Sequence, residues 1–128
     1  MYLLLDTSTA TCRVQLVEDD ATHTYEWQAD REMAKGLLRF LTETVEAQGT
    51  TLKTLQGIGV FRGPGSFTGL RIGVATVNTL SQFAEIPIVG ATGETWQSEA
   101  LAALRDGRND HMIVPEYGRP ARITQPKK

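Results

Sequence analysis

The first third of the chain shows a pattern of apolar and polar positions that predicts three strands. Residues 2–5 form a continuous apolar run, as in a buried strand, and a polar turn follows at residues 6–9. Apolar and polar side chains then alternate within residues 12–16, and the alternation resumes over residues 22–28 after an acidic turn. The pattern therefore predicts an antiparallel meander of three strands.

The following segment has the spacing of an amphipathic helix. Apolar residues recur every four positions at Met33, Leu37, Leu41 and Val45, which places them on one helical face. Asp30 is predicted to cap this helix, which runs to about residue 48 and ends at Gly49.

The rest of the pattern alternates strands with helices. It predicts a strand at 56–61, a helix at 68–84, a strand at 87–90, a helix at 92–104 and a last strand at 111–114. Strands that alternate with helices favour parallel neighbours joined by right-handed crossovers. The predicted fold class is α/β, with a mixed sheet, an antiparallel meander and packed helices.

A glycine-rich segment, Gly63-Pro64-Gly65-Ser66-Phe67-Thr68-Gly69-Leu70-Arg71-Ile72-Gly73, joins a predicted strand to a predicted helix. The N-terminus of a helix favours anions, so the turn is a candidate anion site, although it has no lysine and does not match the P-loop. Close packing of backbone is the alternative, and for a lone glycine-rich turn it is favoured. The candidate anion-binding residues, which include the turn after the first strand, are Asp6, Thr7, Ser8, Gly63, Gly65, Ser66 and Arg71.

The helix after this turn carries no charged residue from Ile72 to Ala84. A helix on a small domain normally shows water a strongly polar face, so something must cover this one. Gly69, Gly73 and Thr76 belong to a ridge of small residues that lets another helix approach closely. The preceding helix of this chain and a second protein are both candidates for that cover.

Composition narrows the class of protein. The 128 residues fit one domain, and a net charge of −2 gives no general attraction to nucleic acid or anionic membranes. The single cysteine, Cys12, excludes an internal disulfide and is interpreted as a small buried side chain. We expect a cytoplasmic protein without a membrane segment, because the N-terminal apolar run is short and has no basic leader.

Catalytic and metal-binding residues are not evident in the pattern. His23 and His111 do not form a pair at metal-ligand spacing, so no metal site and no cofactor are predicted. Ser66 and Thr68 are interpreted as caps of the following helix, because no histidine is placed by sequence to activate them. Arg71 could hold an anion or pair with Asp6.

Two segments together resemble the TsaB (YeaZ) family. They are the Leu-Leu-Asp-Thr-Ser-Thr stretch at residues 4–9 and the eleven-residue motif at 63–73. The resemblance implies a non-catalytic subunit of the bacterial machinery that makes threonylcarbamoyladenosine (t6A) in tRNA. It also implies the N-terminal lobe of the actin-like, Hsp70-like ATPase (ASKHA) fold over residues 1–105. The pattern and charge of residues 106–128 predict a short strand and a basic tail.

The resemblance also implies partners. Members of the family pair with a TsaD-like catalytic paralogue through helices of this lobe, a TsaE-like ATPase joins the assembly, and contact with tRNA is only indirect. A homodimer through the same surface is expected in isolation, since a self-complementary patch suits an isologous contact. The expected interface residues are Met33, Leu37, Leu41, Gly69, Gly73, Thr76, Val77 and Leu80.

The chain departs from the family pattern because most of the usual second lobe is missing. A nucleotide held between two lobes would lack one wall, which argues against ATP hydrolysis by this chain alone. The alternative is a nucleotide- or phosphate-binding enzyme module that uses the turn from Asp6 to Thr9 and the loop from Gly63 to Gly69.

Overall fold

A computed structural model of the protein describes residues 1–116. They form one five-stranded sheet with three α-helices. The elements are β1 (Tyr2–Asp6), β2 (Thr11–Glu18), β3 (Ala21–Gln28), α1 (Met33–Ala47), β4 (Gly57–Phe61), α2 (Phe67–Ala84), β5 (Ile88–Ala91) and α3 (Trp96–Arg105). Short 3-10 turns at Asp30–Glu32 and Leu52–Thr54 precede α1 and β4.

The strand order is β3-β2-β1-β4-β5, which confirms the mixed sheet predicted from the sequence. β1, β2 and β3 pair antiparallel as a meander. β4 runs parallel to β1, and β5 runs parallel to β4. The helices between the parallel strands are the crossovers that such pairing requires.

Helices cover both faces of the sheet because successive side chains of a strand point to opposite sides. Leu3 and Leu5 of β1 pack into the larger core, with Leu37 and Leu41 of α1 and Val77 of α2. Leu4, which points the other way, packs with Trp96, Ala100 and Leu104 of α3. The fully apolar run at the start of the chain is therefore a strand buried on both faces.

The start of α1 differs from the prediction. Asp30 adopts a left-handed backbone (φ 49°) inside the 3-10 turn, and its carboxylate accepts a hydrogen bond of 3.0 Å from Gln28 Nε2. It therefore does not cap α1, which begins three residues later. α3 also starts later than predicted, at Trp96, because Gly93 (φ 90°) bends the chain first.

The strand predicted at 111–114 does not form. His111 adopts a left-handed backbone (φ 64°), which interrupts an extended strand, and Ile113 is anchored by the side chain of Asn78 instead. Residues 106–116 thus lie against the lobe without adding a strand to it. Residues 117–128, which contain most of the predicted basic tail, lie outside the described residues.

Candidate functional site

The turn after β1 and the glycine-rich loop before α2 lie against each other. Thr7 is fully buried, and its hydroxyl donates a hydrogen bond of 2.7 Å to the carbonyl oxygen of Gly69. One residue further, the Ser66 amide donates to the Ser8 carbonyl at 2.9 Å. The structure therefore brings together two segments that the sequence separates by some sixty residues.

Glycine is required in this contact because a side chain would overlap the neighbouring turn. A Cβ at Gly69 would collide with the carbonyl oxygen of Thr7, and one at Gly73 with the Thr7 hydroxyl. A Cβ at Gly65 would lie 2.5 Å from the Cβ of Ser8. The glycines of the motif thus allow close approach of backbone, as the favoured interpretation of the turn predicts.

Local hydrogen bonds hold both turns in shape. The Asp6 carboxylate accepts from the Ser8 amide at 2.8 Å, and the Ser66 hydroxyl accepts from the Gly69 amide at 3.3 Å. Ser66 is therefore the N-cap of α2, as predicted. Gly63 adopts φ 125° and faces the backbone of Glu116, so chain atoms also fill the space beside it.

The remaining candidate anion ligand, Arg71, is exposed on α2. The ion pairs within residues 1–116 are Arg13–Glu26 and Arg108–Asp110, so Arg71 does not pair with Asp6 there. Of the anion-binding candidates, the structure brings the turn residues together, and no ion pair within residues 1–116 joins Arg71 to them.

An open cleft of about 620 Å³ lies beside the first turn of α2. It is lined by residues from the end of the meander and from the glycine-rich loop, among them Thr9, Gln28, Asp30, Arg31, Ser66 and Thr68. Sequence reasoning did not find this cleft, because it forms only where the meander returns to α2. The alternation that ends at residue 28 gives no signal for it.

The sequence of this chain is similar to two related groups of proteins. The family model described as TsaD, tRNA N6-adenosine threonylcarbamoyltransferase, matches residues 27–119, which is most of the chain. The chain belongs to the TsaD family. The predicted resemblance to TsaB (YeaZ) is also confirmed, because several proteins of that name are similar to most of the chain.

Relatives of both kinds occur among curated proteins. The tRNA threonylcarbamoyladenosine biosynthesis protein TsaB of Escherichia coli K12 is 33% identical over 127 residues, covering 91% of this chain and 54% of the relative. A tRNA N6-adenosine threonylcarbamoyltransferase of Methylorubrum extorquens PA1 is 38% identical over 61 residues, covering 48% of this chain and 18% of the relative. The chain spans about half the length of the TsaB proteins it matches.

A solved structure supports the same assignment. YeaZ from Pseudomonas aeruginosa superposes with a TM-score of 0.68 at 28% identity, covering 83% of this chain and 49% of that chain. With the TsaD family match, this likeness identifies the sheet and its helices as a lobe of the ASKHA-like fold. The fold class predicted from the sequence is confirmed.

The helix residues expected at a partner interface lie mostly inside this TsaD-family lobe. Leu37 is 1% exposed, and Met33, Leu41 and Val77 are also buried in the larger core, while Gly69 and Gly73 face Thr7. Thr76 and Leu80 are half-buried. Four-residue spacing therefore identified the face of each helix that packs on the sheet.

Cys12 is buried on the core side of β2, as predicted. Burial, and to a lesser extent the nearby Asp6 carboxylate, raises the pKa of its thiol to about 12. The thiol is therefore neutral at physiological pH and packs as a small apolar group.

Residues 1–116 contain neither a cluster suited to a metal ion nor a helix suited to a membrane. No group of three or more His, Cys, Asp or Glu side chains is placed to hold a metal ion in this part of the chain. None of its helices combines the length and the hydropathy needed to cross a membrane.

Proposed function

We propose that this chain is a non-catalytic subunit that supports t6A synthesis on tRNA by binding a TsaD-like catalytic partner through α1 and α2. The role in t6A synthesis is that for which the relatives are named. It is a proposal for this chain because the chain spans only about half of their length. The mode of binding is taken from the surface of the two helices, which pack side by side on one face of the sheet.

The observation that carries the proposal is an exposed helix surface without charge. α2 has no charged side chain between residues 72 and 84, yet Ala75, Thr79 and Phe83 are all exposed, and Phe83 is 83% exposed. Their four-residue spacing places them in one row, which we call the α2 stripe. Leu38 of the neighbouring α1 is 53% exposed as well. Covering such apolar surface with a partner is favourable.

The interface residues expected from the sequence take a different part in this proposal. Four of them pack between the helices and the sheet, namely Met33, Leu37, Leu41 and Val77. The other two buried residues, Gly69 and Gly73, pack α2 against Thr7. Thr76 and Leu80 contribute the atoms that remain exposed at the border of the stripe. The partner would therefore contact the α2 stripe and Leu38 first.

A scaffold is preferred to an enzyme because the atoms at the candidate anion site already have partners. The Thr7 hydroxyl is buried and donates to the Gly69 carbonyl. The space between Thr7 and the two glycines, Gly69 and Gly73, is too small even for a methyl group, so an anion does not fit there. A TsaE-like ATPase would join the assembly, and the protein would act in the cytoplasm. Contact with tRNA would be only indirect, in keeping with the net charge of −2.

The partner interface is tested by placing one charge in the α2 stripe. Thr79→Arg should abolish co-elution with a co-expressed TsaD-like protein, because a cation would have to be desolvated in an apolar contact. Ser98→Arg is the matched control, since Ser98 is exposed on α3, across the sheet from α2. Undiminished co-elution of the Thr79→Arg variant would exclude the stripe as the interface.

Self-association provides a second readout of the same surface. Without a catalytic partner, we expect a homodimer in which the α2 stripes of two copies meet around a two-fold axis. Sedimentation velocity should show a dimer for the wild type and for Ser98→Arg, and a monomer for Thr79→Arg. A dimer that persists in the Thr79→Arg variant would place the contact elsewhere.

A second candidate function follows from the open cleft of about 620 Å³ beside the N-terminus of α2. Ser66 and Thr68 are exposed on its wall, and helix N-termini favour phosphate groups. The nucleotide- or phosphate-binding module predicted as the alternative would use this cleft. Calorimetry with ATP and with ADP on the isolated chain separates the two functions, because saturable tight binding favours the module and no measurable heat favours the scaffold.

A further inference from the structure

The outer edge of β5 is fully hydrogen-bonded although no strand within residues 1–116 lies beside it. The amides of Ile58 and Arg62 donate to the carbonyls of Pro87 and Ala91. Because backbone groups alternate in direction along a strand, those of Ile88 and Gly90 point away from the sheet. An edge of this kind normally presents unpaired N–H and C=O groups to any other chain.

Residues Arg108, Asn109 and Asp110 satisfy all four of these groups. The Ile88 amide donates to Asn109 Oδ1 at 3.2 Å, and the Ile88 carbonyl accepts from the Asp110 amide at 2.7 Å. The Gly90 amide donates to Asp110 Oδ2 at 2.9 Å, and the Gly90 carbonyl accepts from Arg108 Nη2 at 3.3 Å. Three of the four partners are side-chain atoms, so these residues supply the hydrogen bonds that a neighbouring strand would otherwise make.

The segment that follows is anchored at further points. The side-chain amide of Asn78 on α2 donates to the Ile113 carbonyl at 3.0 Å and accepts from the Ile113 amide at 2.9 Å. The Ile113 side chain is buried in the larger core. After β4, the Arg62 carbonyl accepts from the Glu116 amide at 2.6 Å. Residues 108–116, which we call the edge strap, are thus tied to β5, to α2 and to the end of β4.

We propose that the edge strap closes the β5 edge against strand addition by a second copy of this chain. β5 is a short apolar strand, Ile88–Ala91, so an open edge here would offer unpaired backbone groups on an apolar segment to another β5. The opposite edge, β3, exposes a polar row on one face, including Thr22, Thr24 and Glu26. The chain therefore closes the edge at which pairing would be favourable.

The test removes the side chains that close the edge in a background that cannot associate through α2. In Thr79→Arg, we expect the added pair Asn109→Ala and Asp110→Ala to double the weight-average mass in sedimentation velocity at high protein concentration. The control is Asp106→Ala in the same background, because the Asp106 side chain is exposed and lies outside the strap. A folded strap variant with unchanged mass would overturn the proposal, whereas failure of the Thr79→Arg effect concerns only the proposed partner interface.

Hydrogen exchange tests the same idea on the wild-type protein first and then on one variant. The amides of Ile88 and Gly90 should be protected although they face away from the sheet, and Asp110→Ala should remove the protection of Gly90 while that of Val60 in β4 is kept. Rapid exchange of both edge amides in the wild type would show that the edge is open and would refute the proposal.

Discussion

Thr7 and Gly69 face each other across the junction of β1 and α2, with the threonine hydroxyl 2.7 Å from the glycine carbonyl oxygen. The bond satisfies the hydroxyl of a fully buried side chain, and the Gly69 carbonyl accepts it in addition to the helical hydrogen bond of α2. Because Gly73 lies one helical turn further against the same threonine, Thr7 sets the position of α2 on the sheet. The α2 stripe proposed as the partner interface depends on that position.

Removing the Thr7 hydroxyl should destabilise the lobe. Thr7→Val keeps the shape of the side chain but removes its hydrogen bond to the Gly69 carbonyl, which should lower the free energy of unfolding by about 0.5–1.5 kcal/mol. Thr7→Ser keeps the hydroxyl and should lose less. Urea denaturation monitored by circular dichroism measures both, and a larger loss for Thr7→Ser than for Thr7→Val would mean that the methyl group contributes more than the hydrogen bond.

Gly73→Ala should destabilise the protein, although the same change in an open helix stabilises it by up to about 1 kcal/mol. The added methyl group overlaps the buried Thr7 side chain, and such overpacking typically costs about 1–3 kcal/mol. Gly36→Ala on α1 is the matched comparison. Its Cβ would meet the end of the half-buried Trp27 ring, which can shift, so the loss in urea denaturation should be smaller. The reverse order would contradict the fixed position of Thr7.

Neighbouring leucines of α1 should respond very differently to truncation. Leu37→Ala empties a site in the larger core and should reduce the free energy of unfolding by about 2–5 kcal/mol. Leu38 is 53% exposed, so Leu38→Ala should stay within about 0.5 kcal/mol of the wild type. Thermal denaturation of the two variants measures the contrast. Similar effects would mean that α1 is rotated from the orientation described.

Acid should loosen the edge strap. The hydrogen bond from Arg108 lowers the pKa of the Asp110 carboxyl, with further help from the Gly90 amide and the positive charge of Arg62, against an opposing effect of partial burial. A lowered folded-state pKa means that Asp110 stabilises the protein fully above its unfolded pKa of about 3.9, and that this contribution disappears as the pH falls through the folded value.

The pH dependence of unfolding therefore distinguishes Asp110 from other carboxylates. Between pH 5 and acid conditions, the wild type should lose more stability than Asp110→Asn, since the amide cannot be protonated in this range. The two curves should be farthest apart at about pH 5, where the wild-type carboxylate is ionised. Parallel curves over the whole range would show that the Arg108–Asp110 contact contributes no net stability.

The sequence predicted most of the fold because periodicity reports directly on which side of an element is buried. The five strands and three α-helices of residues 1–116 were all predicted, with boundaries within a few residues for most of them. The prediction was wrong at 111–114, where three apolar residues follow His111 but no strand forms. In the structure, Asn109 and Asp110 fill the β5 edge through their side chains, and no periodicity in the sequence signals such a contact.

The candidate site was predictable only in part. The glycines at 65, 69 and 73 indicated that another segment comes close, but not that this segment is the turn at Thr7 and Ser8. Likewise, the apolar rows of α1 and α2 identified core residues. That Leu38 and Phe83 are exposed depends on how the helices pack, which the apolar rows do not determine.

By itself, the sequence determined the elements, their order and the family motifs, because the spacing of apolar side chains and the need for glycine are local properties of the chain. The tertiary structure decided which surfaces remain open. The edge strap forms hydrogen bonds along the β5 edge, and the glycine-rich segment packs directly on Thr7. The α2 stripe remains exposed. These outcomes depend on contacts between residues far apart in the chain, which set burial and which no local pattern encodes.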